Sequence, residues 1–431
     1  MRYTPPSADL FQLNRRNFMQ QMKPGTLAVF FSNDIVVQNG DANYKFVQNS
    51  NTYYLTGIDQ AETILVLFPD APKPEWREIL LILESHPEIQ LWEGWKYSPS
   101  EAYEASGINT VKYVDSFRTL IKTLISQCEG FYLDFNEHER NSYYTPTRAH
   151  RFAEEMKAEF PAHSIHRSAP ILEKLRSIKS SWEITQLQTA IDITEKAFRR
   201  ILSFIKPGVT EYQIEAEIIH EFISHRADGH AYDPIIASGG NACVLHYILN
   251  NQICKDGELI LLDFGANYGN YKADLSRTIP VNGKYSDRQK AIYSAVLEVQ
   301  QKAMGLLKPG VKLDAYQKEV GQYMESALLE LKLLTQDQIR NQNPDWPAYK
   351  KYFMHGTSHF LGLVTHDVGN RYLEMQAGMV FTVEPGIYIP EEKIGIRIEN
   401  NVVITETGIM DLMKNIPITI EEIEGLMNNS K

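Results

Sequence analysis

Apolar residues in the first part of the chain occur in short continuous runs, separated by polar and turn-forming residues. Runs of this length predict buried strands, whereas FRTLIKTLISQ at 117–127 has its apolar residues at helical spacing. The alternation of strands and helices predicts an α/β domain. The predicted strands are TLAVFFS at 26–32, ETILVLFP at 62–69, EILLILES at 78–85 and GFYLDF at 130–135.

The stretch HRSAPILEKLRSIKSS at 166–181 has the composition of a linker, and a helix signal follows it. Ser180 and Glu183 form an S-x-x-E capping box, which predicts that a helix begins there. Apolar residues then recur at helical spacing, so we predict a long helix at the start of the second part of the chain.

An internal repeat is present in this second part. FIKPGVTEYQIEAEI at 204–218 resembles LLKPGVKLDAYQKEV at 306–320. In each copy Pro and Gly end one helix, and a polar residue after the Val can cap the next. Thr210 and Gln213 form a capping box in the first copy. We therefore predict two related helix-helix-sheet halves within residues 180–405.

The first half contains two acids inside strand-like runs. Asp263 and Asp274 lie in ELILLDFGANYGNYKADLSRT at 258–278. A two-residue turn at Tyr268 and Gly269 would place them directly opposite each other, with Cβ atoms about 5 Å apart. Two carboxylates so close repel, and burial increases the repulsion. The pattern predicts a cation between them, or a proton on one of them.

The second half contains a similar pair. Glu384 lies in MVFTVEPGIYI at 379–389, and Glu399 lies in the alternating run GIRIENNVVI, on the same face as Arg397. If the two halves pack about a pseudo-twofold axis, four carboxylates converge. Convergent carboxylates in apolar strands predict a divalent metal site.

Histidines cluster in FMHGTSHFLGLVTHD, which contains His355, His359 and His366, and His246 precedes the first acid pair in NACVLHY. A lone H-x-x-x-H pattern can also place two histidines on one helix face without any ligand. Site histidines and ordinary packed or surface histidines therefore both remain open on spacing alone.

The amino-acid composition and net charge of the chain limit the kinds of binding partner it can have. The chain has 431 residues, 43% of them apolar, and a net charge of −11, which argues against nucleic acid or an anionic membrane as the main partner. It has three cysteines without a pairing pattern, as expected of reduced thiols. No signal peptide or membrane-spanning run is evident, so we expect a cytoplasmic protein.

Five segments resemble the signature motifs of aminopeptidase P, the Xaa-Pro aminopeptidases. They are SGGNACVLHY, LLDFGANYGNYKADLSRTIPVNGK, MHGTSHFLGLVTHDVG, VFTVEPGIYI and GIRIEN, and YKFVQNSNTYYLTGI extends the likeness toward the N-terminus. The resemblance implies an α+β fold. A smaller α/β domain at 1–172 precedes a pita-bread catalytic domain with an internal pseudo-twofold at 173–431.

The resemblance also implies roles for particular residues. Asp274 and Glu399 would bridge two metal ions, and Arg397 would support Glu399. Three histidines would contact substrate or handle protons: His246, His355 and His366. The implied metal ligands are Asp263, Asp274, His359, Glu384 and Glu399.

Four carboxylates balance two divalent ions, and an oxygen-rich site with a single imidazole favours Mn²⁺. A hydroxide between the ions would attack the scissile carbonyl, with Glu384 as the proton acceptor. We expect release of the N-terminal residue from peptides with proline in second position. The proline ring needs a shallow apolar pocket, for which Tyr388 is a candidate.

Other readings remain. A prolidase, which takes only Xaa-Pro dipeptides, would share the ligands; a metal-free creatinase-like hydrolase or a peptide-binding module would be expected to lack them. The resemblance also implies a homodimer or homotetramer formed through the N-terminal domain. Trp92 and Trp95 are predicted in the core, with an interface as the alternative. Relatives often carry arginines after this tryptophan, whereas here Lys96 is the nearest basic residue.

Overall fold

The computed structural model describes residues 3–138 and 145–429. The chain divides into two compact units, formed mainly by Pro5–Leu175 and by Arg176–Lys431. We call them the N-terminal unit and the C-terminal unit. Within the described ranges, no helix is both long enough and apolar enough to cross a membrane.

The N-terminal unit alternates helices with strands. Its helices are α1 (Ala8–Met19), α2 (Ser50–Thr56), α3 (Pro87–Glu93), α4 (Pro99–Ser106), α5 (Phe117–Ile125), α6 (Arg148–Glu159) and α7 (Ala169–Ser177), which runs past the unit boundary. Its strands are β1 (Thr26–Phe31), β2 (Val37–Asn39), β3 (Ala42–Asn43), β4 (Ile64–Leu67), β5 (Glu78–Ile82), β6 (Thr110–Tyr113), β7 (Gly130–Leu133) and β8 (Ser164–Arg167).

Six strands form one mixed sheet in the order β6-β5-β4-β1-β7-β8. Every residue of β1 is buried, because helices cover both faces of the sheet. Val29 and Phe31 join the core that includes Leu124 of α5 and Phe152 of α6. On the other face, the ring of Phe30 packs edge-on against α1. The predicted α/β layering and strands are therefore confirmed.

Two predictions for this unit were wrong. The expected linker at 166–181 is mostly ordered, because α7 begins at Ala169, soon after β8 ends. Trp92 and Trp95 are not core residues, since they are 82% and 53% exposed. Helix α3 has no buried residue, so the apolar side chains of this helix are at least partly exposed to solvent.

The C-terminal unit contains the internal repeat. Its helices are α8 (Ser181–Phe204), α9 (Glu211–Ser224), α10 (Asp287–Leu306), α11 (Leu313–Glu330), α12 (Gln336–Arg340) and α13 (Ile420–Asn429). Its strands are β9 (Gly229–His230), β10 (Ile235–Ser238), β11 (Leu259–Phe264), β12 (Ala266–Tyr268), β13 (Tyr271–Lys272), β14 (Leu275–Pro280), β15 (Val380–Val383), β16 (Gly386–Ile389), β17 (Ile394–Arg397), β18 (Asn400–Ile404) and β19 (Ile409–Asp411).

The two copies of the Lys-Pro-Gly-Val motif form the same local structure. Gly208 and Gly310 have φ values of 95° and 87°, a region that favours glycine. The Gly208 amide donates to the carbonyl of Cys254 at 2.9 Å, and the Gly310 amide donates to that of Met375 at 3.0 Å. Each motif joins two helices and is tied to the segment leading into its sheet. The predicted repeat is confirmed.

Each half also has a three-stranded sheet with a hairpin between two of its strands. In the first half the order is β10-β11-β14, and hairpin β12–β13 connects β11 to β14. In the second half the order is β15-β18-β19, and hairpin β16–β17 connects β15 to β18. The points where the chain enters and leaves these hairpins are equivalent, and all four predicted acids lie there.

Candidate metal centre

The first acid pair lies where β11 and β14 meet their hairpin. Asp263 is opposite Ser276 in the β11–β14 ladder, and Asp274 comes just before β14. The turn residues are Gly269 and Asn270, with φ values of 57° and 68°. Two positive φ values are typical of the two-residue hairpin turn that matches strand twist.

The predicted register of this pair was therefore wrong. We placed the turn at Tyr268 and Gly269, which would have put the two acids directly opposite each other. The true turn lies one residue later and shifts the pairing by two positions. Because side chains alternate with a period of two, a shift of two keeps Asp263 and Asp274 on the same face.

A phenol connects the two acids. The hydroxyl of Tyr232 lies 2.5 Å from Oδ1 of Asp263 and 2.5 Å from Oδ1 of Asp274. Burial and the neighbouring carboxylates raise the pKa of Tyr232 well above its usual 10, so the phenol keeps its proton. The two carboxylates therefore share the Tyr232 hydroxyl as their hydrogen-bond donor.

The second acid pair has the equivalent position. Glu384 directly follows β15, and its amide donates to the carbonyl of Thr357 at 2.8 Å. Glu399 directly precedes β18, and its amide donates to the carbonyl of Ser276 at 3.0 Å. The Ser276 hydroxyl also donates to Oε2 of Glu399 at 2.7 Å. Ser276 belongs to the first half, so these bonds join the two halves.

His359 lies in a segment without a regular helix, so the two-histidines-on-a-helix alternative does not apply. Its amide donates to the hydroxyl of Thr382 at 3.1 Å, and its Nδ1 lies 2.9 Å from the carbonyl oxygen of Phe360. A protonated Nδ1 that donates to this carbonyl fixes the ring. Its Nε2 then faces Asp274 at 3.4 Å and Glu384 at 3.6 Å.

Three of the predicted metal ligands come within reach of one cation. One ligand atom each from Asp274, His359 and Glu399 lies within 4.8 Å of the others. Glu384 adjoins this group through His359, and Asp263 adjoins it through Tyr232. The five residues therefore form one continuous cluster, which draws on both halves of the repeat.

The electrostatics of the cluster favour added positive charge. Burial, together with nearby carboxylates, raises the pKa of Asp263 and of Glu399, and raises that of Glu384 to about 8. Burial alone would lower the pKa of His359, but the bond with Asp274 and the charge of Glu384 raise it to about 9. Protons thus take up part of the negative charge, and this donor set fits divalent cations.

Arg397 is the one predicted cation beside the acids. It is buried, and its Nη2 lies 2.5 Å from Oδ2 of Asp263. Its Nη1 donates to the hydroxyl of Tyr388 at 2.9 Å, and its Nε donates to that of Ser276 at 2.8 Å. Arg397 therefore holds Asp263 directly and reaches Glu399 through Ser276.

Tyr388 was predicted to line an apolar proline pocket, and the structure corrects this placement. The side chain is fully buried. Its hydroxyl lies 2.8 Å from Nε2 of His355. Tyr388 thus supports the His355 ring from behind and offers no surface to a substrate.

The other three predicted histidines surround the cluster. His355 is half-buried, with Nδ1 3.8 Å from Oε2 of Glu384. Burial, with the charge of Arg397, lowers the pKa of His355 to about 3, so this ring is neutral. His366 is exposed, and its ring centre lies 4.3 Å from that of His359. His246 is exposed, and it is among the neighbours that lower the pKa of His355.

Tyr232, Ser276 and Asn401 were missed in the sequence. Asn401 accepts from the amide of Asp274 at 3.1 Å and donates to its carbonyl at 2.7 Å, which fixes the backbone of that acid. The position of Ser276 could have been predicted from the sequence, because it follows Asp274 by two residues and therefore lies on the same face of the strand. Tyr232 and Asn401 had none, since their distance along the chain from Asp274 hides the contact.

Two family descriptions match the chain. That of metallopeptidase family M24 covers residues 185–406, and that of the aminopeptidase P N-terminal domain covers residues 11–132. The chain belongs to metallopeptidase family M24. The first of these ranges contains every residue of the cluster, so the site described above lies in the peptidase part of this M24 protein.

The chain is also similar to individual proteins that carry aminopeptidase names. The chain is 35% identical to the Xaa-Pro aminopeptidase of Escherichia coli strain K12, over 97% of both chains. It is 30% identical to human Xaa-Pro aminopeptidase 3, over 98% of this chain and 84% of the relative. The structure of zinc-substituted E. coli aminopeptidase P in complex with product superimposes with a TM-score of 0.89 and 33% identity. That match covers 99% of this chain and 100% of the other.

These matches confirm the predicted family and fold class. The second unit has the pita-bread fold of M24 peptidases, and a smaller α/β domain precedes it. As a member of M24 the protein is a metallopeptidase, and its family implies divalent metal.

Proposed function

We propose that this M24 peptidase is a Xaa-Pro aminopeptidase, which releases the N-terminal residue from peptides with proline in second position. The observation that carries the proposal is the buried cluster of four carboxylates and one histidine, contributed by both halves of a peptidase fold. The similarity of nearly the whole chain to Xaa-Pro aminopeptidases supports the same substrate class.

Five residues would hold two divalent ions: Asp263, Asp274, His359, Glu384 and Glu399. Asp274 and Glu399 are the candidates to contact both ions, because they lie together with His359 at the centre of the cluster. Oxygen donors with a single imidazole favour Mn²⁺ over a sulfur-preferring metal. Bound ions supply Lewis acidity and make water a nucleophile at neutral pH.

The chain's own residues handle the protons. The carboxylate of Glu384 lies with Oε1 3.6 Å from Nε2 of His359 and Oε2 3.8 Å from Nδ1 of His355, so it is the candidate to accept a proton beside the ions. We assign it the proton of the attacking water, which it passes to the leaving nitrogen. His246 and His366 are exposed beside the cluster and are the candidates to donate to the carbonyl oxygen of the substrate. The ring nitrogens of neutral His355 already contact the carbonyl of Gly356 and the hydroxyl of Tyr388, each at 2.8 Å, so its role would be to line the substrate site beside Glu384.

Proline in second position suits this type of site. An Xaa-Pro nitrogen carries no hydrogen, and the proline ring fixes φ. Enzymes that bind peptides as an added strand lose a backbone donor at this position. A site that recognises the free α-amine and the first carbonyl does not need that donor, and it limits cleavage to the first bond.

The function is tested by hydrolysis of matched peptides. Protein stripped with chelator and restored with Mn²⁺ should release the first residue from a Xaa-Pro-Yaa tripeptide and leave uncut the matched Xaa-Ala-Yaa peptide, in which only the proline is replaced. Cleavage of the Xaa-Pro dipeptide alone would assign a prolidase instead. Equal hydrolysis with and without chelator would assign a metal-free hydrolase.

We further propose a homo-oligomer formed through the N-terminal unit, in the cytoplasm. Leu91 and Trp92 on α3 are 80% and 82% exposed, and Trp95 follows them, so this helix offers apolar surface for association. The three cysteines are all unpaired thiols, as in a reducing compartment. Sedimentation at several concentrations should give a dimer or tetramer that Trp92→Ala weakens.

A further inference from the structure

The segment that carries His246 has little regular structure of its own. It runs from the end of β10 at Ser238 to β11 at Leu259, and a single 3₁₀ turn at Gly239–Cys243 interrupts it. His246 is exposed, whereas the next residue, Tyr247, is buried. Interactions outside the segment must therefore fix the direction of the His246 side chain.

One buried carboxylate provides most of these interactions. Glu211, the first residue of α9, is fully buried, and its Oε1 accepts from the amide of Ser238 at 2.8 Å and from its hydroxyl at 2.7 Å. The same oxygen accepts from Nδ2 of Asn241 at 3.3 Å. Its Oε2 accepts from the hydroxyl of Tyr247 at 2.8 Å and from the amide of Gln252 at 2.9 Å.

These bonds need a carboxylate. A buried charge is tolerated when hydrogen bonds replace its water, and here every contact on Glu211 is a donor. A glutamine would present its NH₂ group either toward the amide of Ser238 or toward that of Gln252. A backbone N–H cannot accept a hydrogen bond, so both orientations leave one of these two backbone donors without its partner on residue 211.

A second anchor holds the segment separately. The side chain of Asn250 donates to Oε2 of Glu215 at 3.0 Å and to the carbonyl of Pro234 at 2.9 Å, and it accepts from the amide of Ile236 at 3.1 Å. This anchor does not involve Glu211. Loss of the Glu211 contacts should therefore loosen the part around His246 without detaching the whole segment.

The segment also packs against the residues behind the metal cluster. Tyr247 shares an apolar cluster with Leu261 of β11 and with Tyr388. The hydroxyl of Tyr388 contacts both His355 and Arg397. A shift of Tyr247 would thus move His246 relative to His355.

We infer that Glu211 is a positioning residue for His246: its carboxylate fixes the backbone of 238–252 so that His246 faces the substrate carbonyl. The inference rests on the function proposed above for His246. Glu211 itself touches neither the metal ligands nor the substrate, and its effect on catalysis passes through the imidazole of His246.

A double-mutant cycle tests this. With Mn²⁺ restored, Glu211→Gln should lower kcat/KM on Xaa-Pro-Yaa by roughly 10- to 100-fold, because small displacements of a catalytic contact have effects of that size. In the His246→Ala background the same change should lower it less than about twofold. Glu217→Gln, on the same helix, is the matched control and should retain wild-type activity, since the Glu217 carboxylate pairs with Arg200 of α8.

Hydrogen exchange supplies a readout that does not depend on activity. Amides within 238–252 should exchange faster in Glu211→Gln than in wild type or in Glu217→Gln, whereas those of β14 and β18 should be unchanged. Tyr247→Phe removes a single contact with Glu211 and keeps the ring, so it covers the case in which Glu211→Gln does not fold. Tyr247→Phe should lower kcat/KM by less than Glu211→Gln does, and this decrease should again be absent in the His246→Ala background.

Equal losses from Glu211→Gln in both backgrounds would overturn the inference, and so would wild-type activity in Glu211→Gln. If His246→Ala has wild-type activity, the role of His246 and this inference both fail, while the Xaa-Pro activity still stands. If wild-type protein does not cleave Xaa-Pro-Yaa, the proposed function fails. In that case hydrogen exchange still tests Glu211 separately. If the amides of 238–252 exchange as fast in Glu211→Gln as in wild type, Glu211 does not anchor this segment.

Discussion

The imidazole of His359 approaches the carboxylate of Asp274 with 3.4 Å between Nε2 and Oδ2, although the two residues belong to different halves of the internal repeat. Each half alone contributes two acids at a hairpin. The contact between halves is what converts two acid pairs into one cluster. The site therefore depends on the packing of the repeat as well as on its side chains.

Metal loading should depend on Glu399, which lies at the centre of this cluster. Wild-type protein should bind two Mn²⁺ per chain after dialysis, whereas Glu399→Ala should bind one or none, because it lacks the carboxylate that we propose contacts both ions. Elemental analysis of the purified chains measures this directly. Glu406→Ala is the matched control, an exposed acid beyond β18 that should keep full loading. Full loading of Glu399→Ala would contradict its bridging role.

Stability of the metal-free protein should fall as pH rises. The pKa of Glu384 is raised from 4.5 to about 8, and that of His359 from 6.5 to about 9, so the folded chain holds protons that the unfolded chain has released. The free energy of unfolding should thus decrease mainly between about pH 6.5 and pH 9, because below pH 6.5 the lowered pKa of His355 acts in the opposite direction. Thermal unfolding at several pH values measures this slope.

Mn²⁺ should reverse that slope, because metal replaces these protons and binds better as they leave. The gain in Tm on adding Mn²⁺ should be larger at pH 8 than at pH 5.5. Glu384→Gln should flatten the metal-free slope, since it removes one of the titrating groups. A stripped wild-type protein that becomes more stable from pH 5.5 to pH 8 would contradict the charge balance described here.

Tyr232→Phe should weaken metal binding without unfolding the chain. The phenol holds one oxygen each of Asp263 and Asp274, and loss of such a supporting contact weakens metal affinity by about 10- to 100-fold. Titration calorimetry with Mn²⁺ measures the change. Tyr271→Phe removes a comparable bond, from a buried hydroxyl to Glu183 at 3.0 Å, and should leave the affinity unchanged. Equal effects of both changes would show that general destabilisation is responsible.

Arg397→Met should destabilise the metal-free protein strongly. It leaves Asp263 buried without its cation and removes the donors to Tyr388 and Ser276, a change worth about 3–5 kcal/mol. Urea unfolding measures it, and Mn²⁺ should reduce the loss by supplying charge to Asp263. Arg340→Met breaks an exposed pair with Asp337 on α12 and should change stability by about 0.5 kcal/mol or less. A loss of that small size in Arg397→Met would contradict the account.

Much of the site could be predicted from local sequence. Acids inside apolar strands are unusual enough to point to Asp263, Asp274, Glu384 and Glu399 without a structure. The capping box at Ser180 is formed as predicted, because it depends only on residues three apart. At Thr210 half of the predicted box is formed, since the Gln213 side chain accepts from the Thr210 amide at 2.9 Å. Sequence patterns predicted a feature correctly where that feature depends on interactions between residues close together in the chain.

Other features depend on geometry that a sequence pattern does not determine. The hairpin register follows from which residues take positive φ, and Asn270 does so here in place of Tyr268. Trp92 is an apolar residue on α3, a helix with no buried residue. Its exposure depends on how that helix packs, which the local sequence does not determine. Tyr232 reaches the acids only because the chain folds back over the sheet, as β9 pairs with β12.

The central claim is that two divalent ions, held by this cluster, are needed for cleavage. The most direct measurement is a titration of chelator-stripped protein with Mn²⁺, which follows release of the first residue from a Xaa-Pro-Yaa tripeptide. Activity should be absent at the start and reach its plateau at two Mn²⁺ per chain. Full activity in the stripped protein, or a plateau that Glu399→Ala reproduces, would contradict the claim.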